Sequence, residues 1–128
     1  MFEVTVENKF SSAHALRNYK GATEPLHGHN WRSEVTLRGP ELDDCGLLAD
    51  FIEVKKSLDR IVGYLDHVFL NEVPPFDVIN PSAENVAKWI SEEFEKDLAV
   101  IAPDGTVHVA AVRVWEADLC SATYFPRQ

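Results

Sequence analysis

His27-Gly28-His29 places two imidazoles two residues apart. In an extended segment such side chains leave the same face, so both rings can converge on one ion, and Gly28 lets the backbone come close. His14 closes the run Phe10-Ser11-Ser12-Ala13-His14, and it returns to the level of His27 and His29 if the two flanking strands pair as a hairpin. Three neutral imidazoles with one open position are the ligand set of a catalytic zinc ion. A lone His-Gly-His is otherwise a surface turn; the addition of His14 is what points to a metal.

Two further acids need an explanation. Asp66-His67 falls where a predicted helix ends. Either the imidazolium simply complements the helix dipole, or Asp66 orients a histidine that accepts and returns protons in carbon-acid chemistry. Glu116 closes the strand Val112-Arg113-Val114-Trp115-Glu116, on the same side as Val112 and Val114. An acid in line with core residues requires a partner, supplied by an internal salt bridge or by a bound heterocycle with adjacent N–H donors.

The elements that position these groups follow from periodicity. Phe2, Val4 and Val6 alternate with polar residues, as do Ser33, Val35 and Leu37 with Arg32, Glu34, Thr36 and Arg38, which predicts two long half-buried strands. Between them, Ala15 to Leu26, with Gly21 and Pro25, reads as an extended loop of the length that carries function. Asp50, with Glu53 three positions on, predicts a capped helix whose apolar face is Val54, Leu58, Ile61, Val62 and Leu65, ending near Leu65. Ser82 predicts the cap of a second helix with the stripe Val86, Ile90, Phe94 and Leu98. The Val107 to Trp115 stretch is a strand whose alternation slips at Ala110-Ala111, predicting a bulge, and Ser121 to Phe125 is a last strand. The expectation is one α+β domain over residues 1–128, with an antiparallel four-stranded sheet and two helices packed on one face. Its open sheet edges predict association with further copies.

Bulk properties narrow the function classes. The chain has 128 residues, 45% of them hydrophobic, enough for one real core. A formal charge of −9 with twelve scattered Lys and Arg argues against nucleic acid as a partner. No apolar run is long enough to span a bilayer and Met1 to Glu7 alternates, so no membrane association and a cytosolic location are expected. Cys45 and Cys120 stand apart, as reduced ordinary thiols do. If a substrate carries phosphate, Arg17 and Lys20 are the nearest candidate partners.

Five segments in order carry a resemblance: Phe10 to His14, Leu26-His27-Gly28-His29-Asn30, Tyr64-Leu65-Asp66-His67-Val68-Phe69-Leu70-Asn71, Asn80-Pro81-Ser82-Ala83-Glu84-Asn85, and the strand ending at Glu116. With them the chain resembles the 6-pyruvoyltetrahydropterin synthase and 6-carboxytetrahydropterin synthase family of the tunnelling fold. The resemblance implies that His14, His27 and His29 hold Zn2+, that Asp66 and His67 form a proton relay, and that Glu116 anchors a pterin ring, with Ser82 in a substrate-binding segment. It also implies a homo-oligomer whose sheets close into a barrel, a trimer or a hexamer of two trimers, with active sites between subunits.

One departure directs the functional reading. In the synthase branches a catalytic cysteine stands four residues before the first histidine of His-Gly-His; here that position is Thr23, and neither Cys45 nor Cys120 lies in the segment. A threonine hydroxyl is too weak an acid to replace a thiolate without a dedicated base. Glu24, its neighbour, resembles the glutamate of the branch that cleaves the side chain of 7,8-dihydroneopterin triphosphate to 6-hydroxymethyl-7,8-dihydropterin, a bypass in folate biosynthesis. The expected activity is that of a zinc-dependent lyase, with Glu24 as base or proton carrier rather than a merely solvated loop acid. The rivals are a 6-pyruvoyl- or 6-carboxytetrahydropterin synthase with another group in place of the thiol, and a zinc- and pterin-binding protein without turnover.

Overall fold

The computed structural model describes residues 1–127. Strands β1 (Phe2–His14) and β2 (His27–Gly39) pair antiparallel along their whole length, from Phe2 opposite Gly39 to His14 opposite His27. Helices α1 (Phe51–Gly63) and α2 (Ala83–Ile101) follow, and then β3 (His108–Ala117) and β4 (Cys120–Tyr124). The sheet order is β1-β2-β3-β4, all neighbours antiparallel, which is the expected α+β arrangement. No described helix is long and apolar enough to cross a membrane.

Period-two alternation sorts the sheet into two faces. Val6, Phe10, Trp31, Val35, Leu37, Val109, Val112 and Val114 are buried in one cluster with the helix stripes. Val54, Leu58, Ile61 and Val62 come from α1, and Val86, Ile90, Phe94 and Leu98 from α2. Asp50 caps α1 by accepting from the Ile52 amide, and Ser82 caps α2 by accepting from the Asn85 amide. The slip expected at Ala110-Ala111 is a bulge: Thr36 faces Ala111 while Leu37 faces Val109, leaving Ala110 as the extra residue.

Two expectations are corrected. Helix α1 stops at Gly63, so Asp66-His67 is not a helix terminus; His67 lies in a turn with φ of 55°. Leu65 is nevertheless fully buried in the core cluster, so the apolar stripe outlasts the helix. Arg17 is not free to meet a phosphate. Its guanidinium donates to the carbonyls of Asn71, Phe76 and Ile79 at 3.1, 2.8 and 3.3 Å, fastening the irregular segment between the helices.

Segment 66–69 lies along the outer edge of β1. The His67 amide donates to Ser11 O (2.6 Å) and the Ala13 amide to Val68 O (3.1 Å). This edge cover fixes the end of β1 that carries His14.

Phe94 is fully buried among the α2 and sheet side chains. Phe94→Ala is expected to lower stability by about 3–5 kcal/mol through lost burial and a residual cavity, read as a shift of the urea midpoint at constant slope. A loss under about 1 kcal/mol would place the core elsewhere.

Candidate active site

The register that sets His14 opposite His27 puts both rings at one end of the sheet, and the alternation of β2 brings His29 to the same face. The ring centroids lie 4.6 Å (His14–His27), 4.7 Å (His27–His29) and 5.4 Å (His14–His29) apart. Below them sits Trp31, fully buried, its indole N–H donating to Ser12 O at 3.1 Å. Glu116, at the end of β3, completes the group: its Oε1 is 2.6 Å from His14 Nε2, 3.2 Å from His29 Nε2 and 3.8 Å from His27 Nε2. One ligand atom from each of the four residues falls within 4.8 Å of every other.

Two main-chain carbonyls decide what these nitrogens offer. His14 Nδ1 is 2.7 Å from Pro81 O, and His27 Nδ1 is 2.9 Å from Pro25 O. A carbonyl only accepts, so each Nδ1 carries the proton and each Nε2 of the neutral ring turns a lone pair inward. Burial pushes the His29 pKa down, against the opposing pull of Glu116. Among the described residues, the buried Nε2 atoms of His14 and His29 have no hydrogen-bond partner, although a carboxylate oxygen lies close to both. Acceptors facing acceptors at this range repel one another unless a cation lies between them. The donor set therefore fits a divalent metal, and three imidazoles with one carboxylate suit zinc chemistry.

Glu24 stands beside this centre. Its Oε1 accepts from the Leu16 amide at 3.0 Å and lies 3.7 Å from His27 Nε2, and its own amide donates to Leu16 O at 3.0 Å. Thr23 is exposed. Cys45 and Cys120 are free, exposed thiols.

Asp66 and His67 are paired with each other, Asp66 Oδ2 to His67 Nδ1 at 2.9 Å, and Asp66 accepts from the Ser11 amide. That amide bond, before any effect of His67, holds the Asp66 carboxyl below its ordinary pKa. The pair does not join the three histidines within one chain. It lines a separate hollow of about 970 Å³ on the helix-free side of the sheet, with Lys9, Arg32 and Trp115. Ser82 is placed differently from a ligand contact too: its hydroxyl accepts from Asn85 N at 3.1 Å and is committed to the α2 cap. The Pro25 and Pro81 carbonyls leave no signal in the sequence, because any residue type supplies a carbonyl and only the fold aims it.

A four-stranded antiparallel sheet with two helices on one face, and a histidine–carboxylate cluster at its end that could hold a metal ion, defines a small α+β protein. The family model described as 6-pyruvoyl tetrahydropterin synthase matches residues 3–127, and the chain belongs to that family. It is 37% identical over 109 residues to the dihydroneopterin monophosphate aldolase of Pyrococcus furiosus, covering 85% of this chain and 84% of that one. It is 31% identical to the 6-carboxy-5,6,7,8-tetrahydropterin synthase of Bacillus subtilis, over 99% of this chain and 87% of that one. The structure of Caenorhabditis elegans 6-pyruvoyl tetrahydropterin synthase superposes with a TM-score of 0.78 at 27% identity, covering 99% and 98% of the two chains.

The converging lone pairs predict uptake of one divalent cation per chain. In equilibrium dialysis against Zn2+, His29→Ala is expected to weaken binding by more than about 100-fold, beyond the 10- to 100-fold typical of losing an outer-shell partner. Unchanged stoichiometry and affinity in that variant would place the cation elsewhere.

Proposed function

We propose that this chain is a zinc-dependent lyase that cleaves the side chain of a 7,8-dihydroneopterin phosphate to 6-hydroxymethyl-7,8-dihydropterin, the folate-bypass reaction, in the cytosol. The place of Glu24 carries this reading. A carboxylate lies 3.7 Å from a histidine of the metal centre, in the very segment where the synthase branches hold a thiol and this chain holds exposed Thr23. The name of the Pyrococcus furiosus relative supports the same bond-breaking class and sets the monophosphate beside the triphosphate as a substrate.

The reaction is a retro-aldol cleavage. The 2′-hydroxyl loses its proton and its oxygen becomes the carbonyl of the departing two-carbon phosphorylated aldehyde. The electron pair of the C1′–C2′ bond passes into the dihydropterin ring and is then protonated at C1′, leaving a hydroxymethyl group. Glu24 receives the first proton and returns it to carbon, so the cycle is proton-neutral. Its bond from the Leu16 amide fixes one carboxylate oxygen beside His27. His14, His27 and His29 hold the metal; when bound, zinc supplies the Lewis acidity that lowers the pKa of the side-chain hydroxyls. Glu116 closes the donor set in the ligand-free chain and turns to the N–H edge of the pterin when substrate enters. Any contact from Ser82 falls to its main chain. Asp66 and His67 act in the site of a neighbouring copy, within a trimer or hexamer assembled through the edge of β4 and the part of the β1 edge before Ser11.

The test is incubation of the zinc-loaded protein with 7,8-dihydroneopterin monophosphate and, separately, triphosphate. Oxidised products should contain 6-hydroxymethylpterin. Glu24→Ala should reduce turnover by about 10²- to 10⁴-fold while retaining zinc, and the double variant Cys45→Ser, Cys120→Ser should turn over normally. Pyruvoyl or carboxy products would make the chain a synthase, and ligand binding without turnover would make it a binding protein.

A further inference from the structure

The chain beyond His14 leaves the sheet, yet its backbone remains paired. The outer side of β1 is covered at Ser11 and Ala13 by main chain from 67 and 68. At Ala15 and Arg17 the cover changes from main chain to side chain. Asn71 accepts from the Ala15 amide at 2.9 Å and donates to Ala15 O at 2.7 Å. Asn80 does the same for Arg17, accepting from its amide at 2.7 Å and donating to its carbonyl at 2.8 Å. A primary carboxamide offers the same donor and acceptor as a peptide unit, so two asparagines prolong the ladder where no strand is available.

Alternation then decides what the residue between them does. Leu16 turns its N–H and C=O the opposite way, and both are taken by Glu24: the amide by the Glu24 carboxylate, the carbonyl by the Glu24 amide. Glu24 is thus held by a backbone unit that is itself clamped on either side. Asn80 is further tied to α2, since Asn85 donates to its carbonyl at 2.9 Å, and it immediately precedes Pro81, whose carbonyl fixes the His14 ring.

We propose that Asn71 and Asn80 are positioning residues that set the Glu24 carboxylate against His27 by clamping Ala15 and Arg17 on either side of Leu16. The proposal rests on Glu24 being the proton-transfer group. It explains why an acid on a long loop adopts one defined place: the first residues past β1 are met by asparagine side chains in place of a partner strand. Aspartate has the shape of asparagine but lacks the N–H donor, so Asn→Asp sets a carboxylate against the Ala15 or Arg17 carbonyl and opens half of each clamp.

The test has two arms. In the first, amide hydrogen exchange of the intact wild-type protein should find Ala15, Leu16, Arg17 and Glu24 protected to a similar degree, and well above exposed Gly21. Exchange of these four at open-loop rates would overturn the proposal whatever the activity. In the second, Asn71→Asp and Asn80→Asp are assayed with 7,8-dihydroneopterin monophosphate. The expected result is a fall in kcat of about 10- to 100-fold, as for a displaced catalytic group, with KM and zinc content nearly unchanged and no further fall when either is combined with Glu24→Gln. An equal fall in the Glu24→Gln background, or an effect on KM or zinc alone, would overturn it. If Glu24→Gln itself turns over normally, the lyase mechanism fails, while the exchange arm still decides the clamp.

Discussion

Four acceptor atoms crowded at the end of one sheet are the constraint on which the rest of the structure depends. Three imidazole nitrogens and a carboxylate oxygen within 4.8 Å are electrostatically unfavourable by themselves and favourable around a cation. Holding them there requires the β1–β2 register to be right to the residue, since a one-residue slip turns every side chain to the other face. The core supplies that precision: Trp31, Val35 and Leu37 of β2 are buried without exposure, and any slip would bring polar Arg32 and Glu34 into their place. The histidine–carboxylate cluster and hydrophobic burial therefore select the same register.

The second layer of control is carbonyl placement. The Pro81 and Pro25 carbonyls choose the tautomers of His14 and His27, and Pro81 is held in turn at the capped start of α2. The helix that closes the core thus aims a candidate metal ligand. On the other side, the loop bearing Glu24 is tied to Leu16. The proposed acid–base group Glu24 and the candidate ligand His14 meet at the few residues past the end of β1, so small shifts in that segment reach both.

Much of this was legible in the sequence because it depends on side-chain type and period. The strands, both capped helices and the bulge at Ala110 were written in apolar spacing, and His-Gly-His on an extended segment already implied a shared face. The position of His14 was legible only on condition that its strand paired as a hairpin, a fact about register that local patterns do not state. Arg17 was misread for the complementary reason: a free-looking guanidinium in a loop has its donors taken by three carbonyls of a distant segment. Asp66-His67 was misread as a helix end because Leu65 continues the buried stripe past the point where helical hydrogen bonding stops. The asparagine clamps and the proline carbonyls carry no compositional mark at all, since their role lies in how main chain is met rather than in which residue meets it.

The account stands or falls on carbon–carbon cleavage followed by protonation of the freed carbon. Turnover of 7,8-dihydroneopterin monophosphate by the zinc-loaded protein in D2O, with the product read by mass and proton NMR, tests this directly. The account predicts a hydroxymethyl product bearing a single deuterium on its hydroxymethyl carbon, with release of a two-carbon phosphorylated aldehyde. A product that keeps its three-carbon side chain, or a hydroxymethyl group formed without deuterium, would contradict it.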